Sequence, residues 1–413
     1  MNPTPTEDLL HEALQGRADS LDAAPLSLAD VRTRARTIRR RRTAAAGVGI
    51  AAALALLVPA GLTVTANSLR SETPPATSVP GPVPSPVPSV TSPVTVDVDT
   101  APPGDAATVP LLVDGARQLV TGGEELTLPA DYDQIAPYLD GWIAIRDKEG
   151  VRTVDVLGAD LRVDDSTSAD VLTSRWDGER VAYAAYDGVR WTVVNSDALG
   201  REQEIWTNLT PGPRGARVRT VGFLPGDEVV AAQTDPGDGT ESGMIVTRGS
   251  DIEPLDGFLS LVSSSPATGL VAGQTEFTGD GSCSAVSDPR SGRAGMLWET
   301  CEHQLGAFSP NGSLLVGISP YFDGLTFPTL SVLDAATGDR VLDFEVPGAG
   351  TRAVGFTPEV VWEDDSTLLV SLVDGDQHRV VRLGLDGSVE IVAGPITHDP
   401  YTPAYRLSPA RTE

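Results

Sequence analysis

A unit of about 45 residues recurs along most of the chain, and this repeat constrains the fold more than any other feature of the sequence. In each copy a turn is followed directly by a compact apolar strand. The six copies are Asp140-Gly141 before WIAIR, Asp177-Gly178 before VAYAAY, Pro225-Gly226-Asp227 before VVAAQT, Thr268-Gly269 before LVAGQT, Asn311-Gly312 before LLVGIS, and Asp364-Asp365 before LLVSLV. Successive copies lie 37 to 53 residues apart. Turns of this composition supply the positive φ angles that tight hairpins need, so the pattern predicts antiparallel β-structure.

Two further strand patterns follow each apolar strand in the same order. The third strand is amphipathic, as in VRTVDVL (151–157) and TLSVLD (329–334). The fourth is short, as in MLWET (296–300) and VEIVAG (389–394). A repeat of this length matches a four-stranded propeller blade, which must pack against its neighbours because it cannot shield its own faces. We therefore predict an all-β propeller whose ring leaves only short strand edges exposed.

The segments that flank the repeats decide the number of blades. VPLLVDG, RQLVTG and ELTLP (109–128) are predicted to form three strands, and AYRLSP (404–409) is predicted to be an innermost strand. Together they would complete a seventh blade from both ends of the repeat region. We predict a seven-bladed propeller. A six-bladed ring with these segments at its edge is the alternative.

One unit, AFSPNGSLLVGIS…TLSVLDAATGDRVLDFEV (307–346), resembles a blade of the WD40 or TolB-like propeller families. The resemblance is carried by Phe308-Ser309-Pro310-Asn311-Gly312 and by Asp334-Ala335-Ala336-Thr337-Gly338, and the other five units match it in outline. It implies a propeller fold. The Asp-Ala-Ala-Thr-Gly stretch also echoes quinoprotein propellers, in which it recurs from blade to blade. Here it occurs once, so we predict no cofactor.

An uncharged segment near the N-terminus predicts one membrane span. Residues 43–64, TAAAGVGIAAALALLVPAGLTV, would cover roughly 30 Å as a helix, the thickness of a hydrocarbon core. We place the transmembrane helix at residues 43–66. Seven arginines crowd its N-terminal flank, namely Arg32, Arg34, Arg36, Arg39, Arg40, Arg41 and Arg42. By the positive-inside rule, this bias places the N-terminus in the cytoplasm. A signal peptide cleaved near Val64-Thr65-Ala66 is the alternative.

These features predict four regions: a cytoplasmic helical arm (1–42), the transmembrane helix (43–66), a Pro-rich disordered linker (67–104) and an extracytoplasmic propeller (105–413). The linker prediction rests on ten prolines between residues 71 and 104, which favour extended polyproline II. The arm resembles the N-terminal arms of actinobacterial membrane proteins, including some anti-sigma factors. It lacks the cysteines of the zinc-binding subclass. A bias for arginine, with a single lysine in the whole chain, also suggests a GC-rich genome such as that of an actinobacterium.

Charge and cysteine content limit the partners. The net charge is −27, and because residues 1–42 carry 8 arginines and 6 acidic residues, the rest of the chain has a net charge of −29. Such a surface repels phosphate backbones, so we predict no nucleic-acid partner. The two cysteines, Cys283 and Cys301, are predicted to form a disulfide outside the cell. Free thiols and a metal site are the alternatives.

No motif indicates catalysis, and we predict no catalytic or metal-binding residues. The histidines of the repeat region, His303, His378 and His398, fit no known catalytic spacing. Asp235, Asp238 and Glu241 match no calcium loop and fit ordinary turn composition. The six tryptophans either wedge between blades or form a recognition surface.

The predicted function is a membrane-anchored, non-enzymatic binding or scaffold module of the bacterial envelope. Its partners would be the lipid bilayer, through residues 43–66, and an unknown extracytoplasmic protein, peptide or glycan. The alternatives are an anti-sigma-like regulator that signals through a cytoplasmic partner of residues 1–42, and a propeller hydrolase or lyase.

Overall fold

The computed structural model describes residues 92–148, 151–197, 203–206, 215–235, 239–247, 251–278, 281–290, 295–320, 326–348, 354–399 and 402–408. The predicted cytoplasmic arm, the predicted transmembrane helix with its flanking arginines, and most of the predicted linker lie outside these residues. Within the described residues, no helix is long and apolar enough to cross a membrane.

The regular secondary structure of the described residues consists of β-strands. In the first half of the chain they are β1 Val94–Thr95, β2 Leu111–Val113, β3 Gln118–Thr121, β4 Glu124–Thr127, β5 Gln134–Tyr138, β6 Gly141–Lys148, β7 Val151–Leu157, β8 Val163–Ser174, β9 Arg180–Tyr186, β10 Trp191–Asp197 and β11 Gln203–Trp206. In the second half they are β12 Arg217–Phe223, β13 Val229–Thr234, β14 Glu241–Val246, β15 Ile252–Leu255, β16 Ser260–Ser264, β17 Val271–Thr278, β18 Gly281–Ser287, β19 Met296–Thr300, β20 Gln304–Phe308, β21 Leu314–Ile318, β22 Thr329–Asp334, β23 Arg340–Glu345, β24 Val354–Asp364, β25 Thr367–Asp374, β26 Gln377–Gly384, β27 Val389–Thr397 and β28 Tyr405–Leu407.

These strands form six hydrogen-bonded sheets. Three of them are built from four consecutive antiparallel strands, with the orders β12-β13-β14-β15, β16-β17-β18-β19 and β24-β25-β26-β27. The other three have the orders β1-β23-β22-β21-β20, β28-β2-β3-β4 and β11-β10-β9-β8-β7-β6-β5. The predicted apolar strands all lie in the second strand of a repeat: β6, β9, β13, β17, β21 and β25. The repeat therefore predicted the strand order correctly.

The seven-stranded sheet contains two repeats because they share the long strand β8. The first half of β8 pairs with β7, from Leu157↔Val163 to Thr153↔Ser168. The second half pairs with β9, from Ala169↔Ala185 to Ser174↔Val181. Thus β8 is the outer strand of one repeat and the inner strand of the next. The six sheets agree with the six-bladed alternative, while the strand registers divide the same sheets into seven four-stranded units.

Hydrogen bonds between neighbouring inner strands close these units into a ring, which defines a β-propeller. The inner strands are β28, β5, the second half of β8, β12, β16, β20 and β24. The links are Ser408 Oγ to Ile135 O (2.5 Å), Leu172 N to Gln134 Oε1 (3.2 Å), Thr220 Oγ1 to Val171 O (3.3 Å), Ser264 Oγ to Phe223 O (2.9 Å), Ser263 Oγ to Gly306 O (2.5 Å), Trp362 Nε1 to Ala307 O (3.0 Å) and Leu407 N to Glu359 Oε2 (3.2 Å). Every pair of adjacent inner strands has such a link.

The core of the ring is divided in the same way. Its buried side chains form seven clusters among the described residues, and each cluster lies between two neighbouring units. One cluster, for example, joins Leu112 of β2 to Ile135 of β5, and another joins Ala182 of β9 to Val229 of β13. Burial of apolar faces between units is the main force that holds the ring together.

The sheet β28-β2-β3-β4 is built from both ends of the described chain, as the sequence predicted. Leu111, Leu112 and Val113 of β2 pair with Leu407, Arg406 and Tyr405 of β28. The last inner strand of the chain is therefore held by strands from the start of the propeller.

The end of the predicted linker packs on the propeller, which corrects the boundary at residue 104. Strand β1 pairs in parallel with β23, and Val96 is buried. Further along, Pro103 forms a parallel bridge with Ile391 of β27. The alternation Val94-Thr95-Val96-Asp97-Val98 places apolar side chains on one face, and this period-two signal was masked by the surrounding prolines. We call residues 94–108 the strap, because they run along the outer edges of two sheets.

Cys283 of β18 and Cys301, which follows β19, form a disulfide in the structure. The bond crosslinks two neighbouring strands of one unit, as the sequence predicted.

Candidate functional site

A cavity of about 350 Å³ lies where the inner strands surround the axis of the ring. Its walls come from the second half of β8, from β12, β16, β20 and β24, and from the turns that follow β8, β16 and β20. Those turns connect the inner strands to the second strands, so the cavity lies toward the end of the ring where the inner strands finish.

A ring of β-bulges shapes this cavity. Each of the five inner strands that form it breaks register with its partner; the breaks lie at Ala169/Leu172, Thr220/Gly222, Leu261/Ser263, Leu305/Phe308 and Phe356/Val360. A bulge inserts extra residues and re-aims side chains, and bulges are common beside functional sites. Val171, Val221 and Val262 lie within these breaks and line the cavity. The middle of the channel is therefore apolar.

Three tryptophans are committed to the contacts between units. Trp191 donates its indole N–H to Ala216 O (2.8 Å), Trp298 to Ala335 O (2.9 Å) and Trp362 to Ala307 O (3.0 Å). In each pair the acceptor carbonyl belongs to the neighbouring unit. These tryptophans wedge between blades, which is one of the two roles that the sequence allowed.

Trp176 has a different environment. It is partly exposed, lies in the turn after β8 and lines the mouth of the cavity near Phe308 and Pro266. The sequence contains a signal for this difference, because Trp176 occupies the turn position at which later repeats have Pro266 and Pro310. Trp142 packs against the core cluster between the first two units, so Trp176 is the tryptophan best placed to contact a ligand in the channel.

Two guanidinium groups also line the cavity, and both are neutralised by carboxylates. Arg175 pairs with Asp177 (2.7 Å), with Asp227 (2.9 Å) and with Glu179. Burial alone would lower the pKa of Arg175, but these carboxylates raise it above the ordinary value.

The charge of Arg219 is also neutralised by a carboxylate of the protein. Its Nη2 lies 2.9 Å from Glu241 Oε2 and 2.7 Å from Leu261 O. Since both cations are paired within the protein, the cavity offers a ligand mainly apolar, aromatic and uncharged polar surface. Sequence reasoning missed Arg175 and Arg219, because their carboxylate partners are brought to them by the fold.

A second group of charged side chains surrounds β28. Arg406 of β28 lies 3.5 Å from Asp114 and 3.9 Å from Glu359. Burial raises the pKa of Glu359, although the backbone N–H of Leu407 and the charge of Arg406 act in the opposite direction.

The structure separates most residues that the sequence singled out for possible chemistry. His378 and His398 are neighbours, with ring centroids 5.5 Å apart, but His303 lies before β20 in another unit. Glu241 is paired with Arg219, and Asp238 lies outside the described residues. Among the described residues, no group of three His, Cys, Asp or Glu side chains is arranged to hold a metal ion.

The geometry thus defines a β-propeller with a cavity on its axis. No protein-family model matches the sequence, and no curated protein matches it. Solved structures to which it is similar include TolB from Acinetobacter baumannii, with 11% identity, a TM-score of 0.40, and coverage of 71% of this chain and 78% of that one. Prolyl oligopeptidase B from Galerina marginata has 11% identity, a TM-score of 0.47, and coverage of 65% and 43%.

A third similar structure is a functionally unknown protein from Desulfotomaculum acetoxidans, with 12% identity, a TM-score of 0.44, and coverage of 73% of this chain and 98% of that one. All three TM-scores lie below 0.5. The fold assignment therefore rests on strand pairing and ring closure within this chain.

Proposed function

We propose that this protein is a single-pass, membrane-anchored propeller that binds an envelope protein, peptide or glycan outside the cell and does not catalyse a reaction. The observation that carries the proposal is the axial cavity. Five inner strands depart from regular pairing at the same level of the channel, and Trp176 stands at its mouth. Cavities of a few hundred Å³ with apolar walls and a few polar groups are typical of binding sites.

The chemistry of the cavity supports binding. Its lining consists of valines, aromatic rings, hydroxyl groups and two guanidinium groups that are already paired. The hydroxyls of Ser263, Ser264 and Thr220 donate to backbone carbonyls of neighbouring units, so they stabilise the ring. A ligand would be recognised by shape, by stacking on Trp176 and by uncharged hydrogen bonds.

Site-specific photo-crosslinking in living cells tests this proposal. A photoreactive phenylalanine analogue would replace Trp176 in the full chain, and in a matched control it would replace Val189. Val189 is 82% exposed at the tip of the β9–β10 hairpin. We expect a discrete crosslinked product from position 176 and none from position 189. Absence of a product at 176, or the same product at both positions, would count against a channel-binding function.

A further inference from the structure

Two histidines pack beside the strand that closes the ring. His378 of β26 is fully buried, and its Nδ1 accepts a hydrogen bond from the backbone N–H of Ala404 at 3.4 Å. Ala404 immediately precedes β28. The ring of His398, which follows β27, lies edge-on to that of His378. The peptide that leads into the closing strand is thus in contact with an imidazole that must be unprotonated at Nδ1.

We infer that this histidine pair makes closure of the propeller sensitive to acid, because protonation of His378 releases β28 from β2. A protonated imidazole cannot accept the hydrogen bond from Ala404. It would also place a positive charge in the cluster formed by Val380, Ala404 and Tyr405. Burial disfavours a charged imidazole, so the closed seam disfavours the protonated form of His378.

Charged and titratable groups face His378 from each neighbouring element. They are His398 and Asp399 after β27, Asp376 in the β25–β26 turn, Arg379 on β26 itself, Asp114 after β2, and Arg406 on β28. His398 Nε2 lies 3.4 Å from Asp114 Oδ2 and 3.2 Å from Thr402 Oγ1. His398 therefore lies between a carboxylate and the ring of His378, and a positive charge on His398 opposes protonation of His378.

Burial and the neighbouring charge of His398 lower the pKa of His378, while interactions with Asp399 and Asp376 oppose this shift without cancelling it. In the unfolded chain the imidazole titrates near pH 6.5. A histidine whose pKa is lowered by folding stabilises the folded state fully above the unfolded value and destabilises it as the pH falls below that value. The equilibrium for opening the seam should therefore rise by up to about tenfold per pH unit below about 6.5.

Hydrogen exchange on the full chain in detergent measures this opening. Exchange would be followed at pH 7.5 and 5.5, with times scaled for the intrinsic pH dependence of amide exchange. We expect protection of residues 402–408 and of β2 to fall by up to about tenfold at the lower pH. Protection of β17 and β18, in a distant unit, should change much less. A uniform change across all units, or none at β28, would overturn the inference.

Three variants separate the roles of the histidines. His378→Asn keeps an acceptor near the position of Nδ1 but cannot be protonated, so the pH dependence at residues 402–408 should disappear. His398→Asn removes the competing charge, so the loss of protection should begin at a higher pH. His303→Asn is the matched control, because burial also lowers the pKa of His303 although it lies before β20.

The control should leave the pH dependence at β28 unchanged. If His378→Asn retained the dependence, or if His303→Asn abolished it, the assignment to His378 would be wrong. If His378→Asn failed to fold, the His398→Asn variant would decide. A shift of the onset to higher pH supports the inference, and an unchanged or lower onset contradicts it.

Discussion

Asp155 is a buried carboxylate of the propeller that forms an ion pair with Arg146. Its side chain is inaccessible to solvent and accepts hydrogen bonds from Arg146 (2.6 Å), Tyr132 (3.0 Å) and Ser166 (2.6 Å). Burial, followed by the charge of Asp155, raises the pKa of Tyr132 far above its ordinary value. Three donors on three different segments thus meet at one carboxylate, so its removal leaves all three without their partner.

Replacement of Asp155 by alanine should therefore lower the free energy of unfolding by about 3–5 kcal/mol, since it leaves Arg146 uncompensated in a largely buried position. Urea denaturation of the wild type and the variant would measure the change. Asp160→Ala is the control, because Asp160 and its partner Arg162 are 59% and 84% exposed. It should cost less than about 1 kcal/mol. Equal losses in the two variants would contradict this account of Asp155.

A second buried pair fastens the strap. Arg382 of β26 lies 2.6 Å from Glu363 and 3.1 Å from Glu390, and it donates to the backbone carbonyls of Asp105 and Ala106 at 3.2 Å. Burial alone would raise the pKa of Glu363, but bonds from Arg382 and Thr108 hold it below the ordinary value. The pair thus stabilises the folded state at neutral pH, and this stabilisation is lost as the carboxylate becomes protonated in acid.

Among the elements, β28 has an influence larger than its three residues suggest. Tyr405 and Leu407 are buried, and the strand supplies the inner partner of β2. Ser408 and Leu407 make the hydrogen bonds that connect this unit to both of its neighbours. Without β28, two interfaces of the ring would lose one side.

Truncation of the chain after residue 401 should therefore prevent formation of a stable ring. We expect a lower urea midpoint, a shallower transition, or an aggregated product by gel filtration. Truncation after residue 408 keeps all the described residues of the closing sheet and should leave the transition unchanged. If both truncated proteins unfolded like the full chain, closure through β28 would not be needed for stability.

Second, third and fourth strands of the repeats could be predicted from sequence because each has a regular apolar pattern next to a turn. TLSVLD and VVAAQT, for example, coincide with β22 and β13. Apart from β28, which AYRLSP predicted, the inner strands were missed because bulges interrupt their alternation, as in β12 and β16. The cavity was missed for the same reason, since it is built from these irregular strands. Contacts between distant residues, such as Arg175 with Asp227, left no local pattern to read.

Local sequence patterns also could not predict that two repeats share β8, because a 12-residue strand can belong to one four-stranded unit or to two. Its two halves pair with different partners, and only the three-dimensional arrangement of β7 and β9 determines where one half ends. The disulfide needed no such information, since the chain contains two cysteines and the sequence predicted an exported domain, in which their pairing is favoured.

For the molecule as a whole, membrane orientation is the prediction that most affects function. The chain contains one lysine, Lys148, at the end of β6. If the propeller is outside the cell, a membrane-impermeant amine reagent should label Lys148 in intact cells, whereas the amino group of Met1 should react only after lysis. Lys148→Arg should abolish the label on intact cells. Labelling of Met1 but not Lys148 before lysis would show the opposite orientation.

The strand that serves two blades has a consequence for anyone who wishes to rebuild this protein. Repeat proteins invite engineers to delete, duplicate or graft single modules, because each module normally carries its own set of strands. Here a cut between the second and third modules would pass through the middle of β8, between Ser168 and Ala169, and would sever one continuous strand whose halves belong to different modules. We therefore expect these two modules to tolerate exchange only as one piece, with the junctions of a chimera elsewhere in the ring.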